Sequence, residues 1–201
     1  MAEKKPDRRV RRTRALLRQA LTELLTERRD VRSITVQELT ARADVNRGTF
    51  YAHYRDIYDM IEKTEQELFE ELAALLDRYH PEELQRDLSP VLADVFRFVK
   101  KNQDLLPILL ERQTADHFLM GLNRIIFDRC LSRWAGVYNV GKDRGGIYCL
   151  EFVVSGMVGL VRSWIQLGFQ ESPEEMAGTT AVLIRHGLNS AAVSGASDLQ
   201  K

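Results

Sequence analysis

The chain has 201 residues, 44% of them hydrophobic and 29% charged, with 29 basic residues balanced by 29 acidic ones. That apolar content suffices to bury a core and excludes a chain disordered along most of its length. No apolar leader with a cleavage site is present, and the longest apolar run, residues 147–161, is broken by Glu151; export and membrane spanning are argued against, and a cytoplasmic protein is expected.

The balanced charge is segregated. Through Met60 there are 14 basic and nine acidic residues, a net +5; the remainder has 15 and 20, a net −5. A basic first third suits a polyanionic partner, with a solvated charged arm as the alternative. Cys130 and Cys149 have neither metal-site nor CxxC spacing and read as small buried apolar groups.

Helical periodicity runs through almost every segment, which predicts an all-α fold. From Val10, the residues Leu16, Leu17, Ala20, Leu21, Leu24 and Leu25 form one stripe of a first helix ending near 28–30. A second helix opens at Thr35, where Glu38 completes a capping box and Ile34 and Leu39 form a hydrophobic staple. The same grammar returns eleven residues later, with Asn46 as N-cap and Val45 and Phe50 as staple. Just before it stands Asp44, a residue type that tolerates a left-handed turn. The chain therefore stops, turns and restarts within "ITVQELTARADVNRGTFYAHYRD".

In the restarted helix Phe50 and Tyr54 face inward. Arg47, Tyr51 and Arg55 share the opposite face, with Gly48 and Ala52 beside them and Thr49 and His53 on the flanks. Glycine in a first turn costs roughly 1 kcal/mol relative to alanine, which makes sense where another surface must approach the backbone. Free N–H groups over 46–49 and the positive end of the helix favour an anion, with phosphate the leading candidate. Arginine, threonine and histidine bond phosphate or base edges, and tyrosine adds a donor and a flat apolar face.

A long helix follows over about 56–79, then a polar connection, "RYHPEELQRDLSP". Ser89 and Pro90 cap and open a helix through 100, and a short helix spans 105–112 around Pro107. Another runs from Thr114 to about Tyr138, ended by the loop "NVGKDRGG". The helix over 146–167 is apolar around nearly its whole circumference and so is expected to be enclosed. Its Ser155 and Gly159, one turn apart, admit a close neighbour. Gly168 ends it. Ser172, Pro173 and Glu175 open a last helix to about Ala192, with Met176, Thr180, Leu183, Ile184 and Leu188 inward, and the tail from Val193 is too polar to order itself. No nucleophile motif, phosphate loop, carboxylate pair or metal-ligand cluster stands out, so neither an enzyme nor a cofactor or metal is expected.

Residues 10 to 61 resemble the N-terminal domain of TetR-family transcriptional regulators. The shared pattern is a capped helix, an alanine-containing turn, a polar then a basic residue, glycine, and a tyrosine followed two and three places on by histidine and an aromatic. "SGMVGLVRSWIQLGFQESPEEMA" resembles the last two helices of one C-terminal subgroup of that family, which pair across a two-fold axis. The resemblance implies a three-helix helix-turn-helix DNA-binding domain joined by a long helix to an all-helical ligand-binding and dimerisation domain. Its divisions are a basic arm (1–9), the helix-turn-helix domain (10–56), the regulatory and dimerisation body (57–192) and a disordered tail (193–201). The arm either contacts the adjacent backbone or minor groove or is merely solvated.

The resemblance further implies a homodimeric repressor on a near-palindromic double-stranded operator, released by a small-molecule effector; a body that recruits a partner protein is the alternative. DNA contacts carry over to Thr35, Arg47, Gly48, Thr49, Tyr51 and His53. Arg55 joins them as a compensating contact, because Ile57 stands where many members have a phosphate-binding lysine. Asp44 stands where many have glycine. His117, Arg124, Trp134, Tyr138 and Trp164 are the effector-pocket candidates, ordinary packing being the other reading of each. The dimer-interface candidates are Phe152, Ser155, Gly159, Trp164, Thr180, Leu183 and Ile184.

Overall fold

A computed structural model describes residues 8–28, 30–110, 115–126, 128–129 and 144–194, and all regular structure among them is helical. The order is α1 (Arg8–Arg28), a 3-10 turn (Val31–Ser33), α2 (Val36–Arg42), α3 (Arg47–Tyr51), α4 (Ile57–Leu76), α5 (Pro81–Arg86) and α6 (Ser89–Lys101). There follow α7 (Leu106–Leu109), α8 (Ala115–Ile126), α9 (Arg144–Gln166) and α10 (Pro173–Ser194). By internal packing the chain divides into Met1–Leu68 and Phe69–Lys201, a division that falls inside α4. Among the described residues, no helix is long and apolar enough to cross a membrane.

The first unit is built around the stripe read from the sequence. Leu17, Leu21 and Leu24 of α1 are buried, as are Leu39 of α2, Phe50 of α3 and Tyr54, Ile57 and Met60 at the α3–α4 junction. Arg42 forms two bonds to Glu27, of 2.7 and 3.0 Å, and Arg28 bonds the Ser33 carbonyl at 2.8 Å. Exposed pairs of this kind are worth about 0–1 kcal/mol each, so the apolar contacts carry the unit. The expected capping box is present: Glu38 N–H donates to Thr35 Oγ1 at 3.2 Å, and Thr35 N–H donates to the Glu38 carboxylate at 3.2 Å. Asp44 then takes φ 52°, while the N–H groups of Ala43 and Val45 close onto the carbonyls of Leu39 and Thr40.

In the second unit α10 packs along α6, burying Val91, Phe96, Ala177, Thr180 and Ala181. Trp164 of α9 is 1% exposed and lies edge-on to Phe96 and Phe169, with centroids 5.4 and 4.8 Å away; its indole N–H donates to the Glu171 carbonyl at 3.1 Å. Gly168 and Phe169 end α9 with φ 75° and 57°. A left-handed phenylalanine costs about 1–2 kcal/mol, which is offset by its contact with Trp164 and by the Lys100 ammonium 4.2 Å from its ring centroid. Gly121 lets α8 approach α4: a methyl group there would lie 2.5 Å from the Phe69 ring, which stacks on Phe118. Asp94 of α6 accepts hydrogen bonds from Tyr79 at 2.8 Å, Arg78 at 2.9 Å and Arg97 at 2.7 Å, and Arg97 continues to Glu174 of α10. Burial first, and the Asp94 bond second, push the Tyr79 phenol up to about 12.

Several elements differ from the sequence expectation. The "polar connection" contains α5, which has Pro81 in its first turn, Glu82 and Glu83 at its positive end, Arg86 in its last turn and Leu84 buried. A single apolar anchor shows no periodicity, so the helix was invisible to pattern. The residue before α6 is Leu88, whose side chain caps nothing; Ser89 is already helical, and its N–H donates to the Asp87 carboxylate at 2.9 Å. Within the single chain α9 is covered only in part: Tyr148 and Phe152 are 69% and 74% exposed. The inward stripe of α10 is Met176, Ala177, Thr180 and Ala181, and Leu183 faces out. The arm through 7, the stretch 130–143 with Cys130, Trp134, Tyr138 and most of "NVGKDRGG", and the tail from 195 lie outside the described residues, as do the side chains of Cys149 and Leu188.

Because a β-branched residue fits the left-handed region poorly, Asp44→Val is expected to lower the unfolding free energy by roughly 1–2 kcal/mol. Urea denaturation measures it, with Asp44→Gly as the control that relieves the backbone cost.

Candidate nucleic-acid interface

Helix α3 has five residues and owes its start to Asn46, whose extended backbone turns the chain and whose side-chain oxygen accepts the Gly48 N–H at 2.7 Å. The N–H of Thr49 bonds the Asn46 carbonyl at 2.9 Å. Of the row of free N–H groups expected over 46–49, those of Gly48 and Thr49 are therefore taken up by the cap itself. Glycine at 48 has an internal reason too, since a methyl group there would lie 3.2 Å from that same Asn46 oxygen.

Phe50 is fully buried and Tyr54 is 4% exposed; their rings lie 5.5 Å apart, and the helix packs on α2. The other side faces water. Arg47 and Gly48 are exposed, Tyr51 is 57% exposed and Thr49 is half-buried. Among the described residues no hydrogen bond or ion pair engages the side chains of Arg47, Thr49 or Tyr51, so a donor cation, a hydroxyl and a phenol are available together. The Thr35 hydroxyl, by contrast, is engaged on both sides by Glu38, as acceptor of its N–H and donor to its carboxylate at 3.0 Å.

The helix ends at Tyr51, so Arg55 does not continue its face and instead lies in the bend before α4. There the backbone N–H of Arg55 donates to Asp59 Oδ2 at 2.9 Å and its Nε to Asp59 Oδ1 at 3.1 Å. Lys63 Nζ donates to Asp59 Oδ2 and to the His53 carbonyl, both at 2.9 Å, and Asp56 accepts the Asp59 N–H at 2.8 Å. Asp56, Asp59 and Lys63 were not singled out from the sequence. Their signal was there: carboxylates three apart at a helix start, followed by a lysine four further on. His53 is half-buried. Burial foremost, then the charges of Arg14 and Lys63, holds its imidazole below the ordinary 6.5 and so neutral at pH 7, with one donor and one acceptor.

The remaining expected site residues fall apart. His117 and Arg124 are exposed on α8, and Trp134 and Tyr138 are outside the described residues. Trp164 and Thr180 are each 1% exposed inside the second unit, the Thr180 hydroxyl donating to the Met176 carbonyl at 2.7 Å, so neither reaches an outer face. Phe152, Ser155, Gly159 and Leu183 are exposed, and Ile184 is half-buried.

A capped helix, a left-handed turn and a second short helix that shows water an arginine, a threonine and a tyrosine define a helix-turn-helix of the DNA-reading class. Residues 86–186 match a family model, TetR_C_8, described as a transcriptional regulator C-terminal region. The chain belongs to the TetR family of transcriptional regulators. It is 32% identical over 181 residues to YxbF of Bacillus subtilis strain 168, an uncharacterised helix-turn-helix-type transcriptional regulator; the match covers 87% of this chain and 45% of that one, so this chain spans less than half the relative's length. A TetR-family regulator from Streptomyces coelicolor shares the fold with a TM-score of 0.65 at 18% identity, over 92% of this chain and 85% of that one. The dihydroxyacetone kinase operon activator DhaS does so with a TM-score of 0.59 at 15% identity, over 89% and 97%.

The Asp59 carboxyl is held at about 2 by the Arg55 N–H first and Lys63 second, against an ordinary value of 3.8. The unfolded chain therefore takes up that proton first. The stabilisation is complete above about 3.8 and fades as the pH falls toward 2. Asp59→Asn is expected to flatten the acid limb of a plot of thermal midpoint against pH across that window.

Proposed function

We propose that this chain is a sequence-specific DNA-binding regulator that works as a homodimer, with Arg47, Thr49 and Tyr51 of α3 meeting the major groove and Gly48, His53, Thr35 and Arg55 flanking them. The observation that carries this reading is the pairing of a fully seated inner face with unengaged polar groups on the outer one. A helix so seated brings its donors to a groove with little left to order on binding. One such unit contacts only a few base pairs, which a two-fold mate doubles.

The pairing surface we assign is the outer face of α9 and α10. Tyr148, Phe152, Val182 and Leu183 are between 56% and 74% exposed there. Methyl groups added at Gly156, Gly159 or Gly178 would meet nothing within 4 Å, so the backbone is open to close approach. Exposed apolar residues in such number are the mark of an interface.

A small effector that enters the body and shifts α4, which runs through both units, would alter DNA affinity to the extent that it prefers one of two states. By the family resemblance the outcome is repression, although one fold neighbour is described as an activator, so the fold alone does not set the sign. Trp164 favours a second reading. It is 1% exposed and packed edge-on to both Phe96 and Phe169, which suits a filled body that binds a partner protein.

Selection from a random duplex pool, followed by mobility shift, is expected to recover an inverted repeat. On that duplex Arg47→Ala weakens binding by about 1–3 kcal/mol if Arg47 reads a base, or lowers the salt slope by about one if it neutralises phosphate. Unchanged binding at both low and high salt contradicts either role. Phe152→Asp is expected to give a monomer by analytical ultracentrifugation and to lose the inverted repeat. A dimer that persists removes α9 from the interface. Titration of candidate small molecules against the bound complex separates the two readings of the body.

A further inference from the structure

Asp59 is a carboxylate 6% exposed at the start of α4, and its partners join the end of the reading helix to the next one. It takes the Arg55 N–H and Nε and the Lys63 ammonium, and Lys63 in turn holds the His53 carbonyl. The bonds run from 53 to 63 and close the bend through which the chain leaves α3. Arg55 is gripped along one edge of its guanidinium, and its side chain is still 80% exposed.

We infer that Asp59 is a positioning residue for DNA reading: it grips Arg55 by one edge so that the other edge is presented to a phosphate, and through Lys63 it fixes the backbone of His53. This rests on the reading of α3 as the recognition helix. An arginine loses much rotamer freedom when it is fixed on a phosphate; a planar fork already oriented by a buried carboxylate loses less at the moment of binding.

A purely electrostatic account predicts the reverse sign. A carboxylate beside a nucleic-acid backbone repels it, so removing the charge should tighten binding to every duplex. The full-length chain is titrated onto the duplex recovered by selection and onto a scrambled duplex of equal length. Asp59→Asn is expected to weaken binding to the selected duplex about tenfold while leaving the scrambled one unchanged or tighter. Lys63→Met gives the same selective loss. Lys63→Arg, which keeps a cation able to bond both oxygens, restores it.

Equal or tighter binding of the selected duplex by Asp59→Asn overturns the inference, and so does a parallel weakening on both duplexes, which marks a merely structural role. Should Asp59→Asn not fold by circular dichroism, Lys63→Met decides by the same two outcomes. A wild-type chain that retains neither duplex overturns the reading of α3, and this inference with it.

Discussion

A helix of five residues cannot hold itself. Nucleating one hydrogen-bonded turn fixes several residues for a single bond, and helices shorter than about 12–15 residues are marginal in water even with favourable sequences. Helix α3 therefore exists because Phe50 and Tyr54 are buried in the core of the first unit, where the helix packs on α2. Fully burying one such aromatic side chain is worth about 1.5–3 kcal/mol, more than any exposed ion pair around the unit can supply. That dependence frees the outer face. Since the inner residues and the Asn46 cap decide whether α3 forms, Arg47, Thr49 and Tyr51 are under little demand to stabilise the protein.

The two ends of α3 are closed by different chemistry. At the start, the Asn46 side chain and carbonyl take the N–H groups of Gly48, Thr49 and Phe50, which removes these from solvent and from any incoming anion. Positive charge at the surface must then come from side chains, and Arg47 provides it beside the cap. At the far end the helix stops after Tyr51, and a buried carboxylate gathers two cations and two backbone groups within eleven residues. The first end sets where the helix begins, and the second sets where it points.

Much of this was legible in the sequence because it rests on local rules. The Thr35–Glu38 box, the Asn46 cap and the left-handed Asp44 follow from one residue's reach over three or four neighbours, and each appears with the expected bonds or dihedral. The inward pair Phe50 and Tyr54 followed from spacing alone. What escaped pattern needed knowledge of partners. The length of α3 was overestimated because spacing cannot show that the next turn is claimed by Asp59. Helix α5 has one apolar anchor and so no period. In α9 and α10 an apolar residue facing a neighbour within the chain and one facing outward look identical. Thr180 is buried as expected, since a threonine can turn its hydroxyl back onto its own helix and leave no unmet bond, whereas Leu183, which hydropathy puts inside, faces out.

The segregated charge gives these local devices a direction. A first third at net +5 and a remainder at net −5 give the two segments opposite responses to a polyanion. At physiological ionic strength that field decays over about 8 Å, so it cannot draw the molecule in from afar. It can reject wrong faces once contact is made. The acidic remainder also carries the exposed apolar residues of α9 and α10. The two helices are themselves balanced in charge, with Arg144, Arg162 and Arg185 against Glu151, Glu174 and Glu175, and an apolar face suits protein better than a phosphate backbone, because apolar burial needs no counter-charge. On the proposed reading, the basic charge and the exposed apolar residues thus lie on different segments of the chain, a separation already present in its sequence.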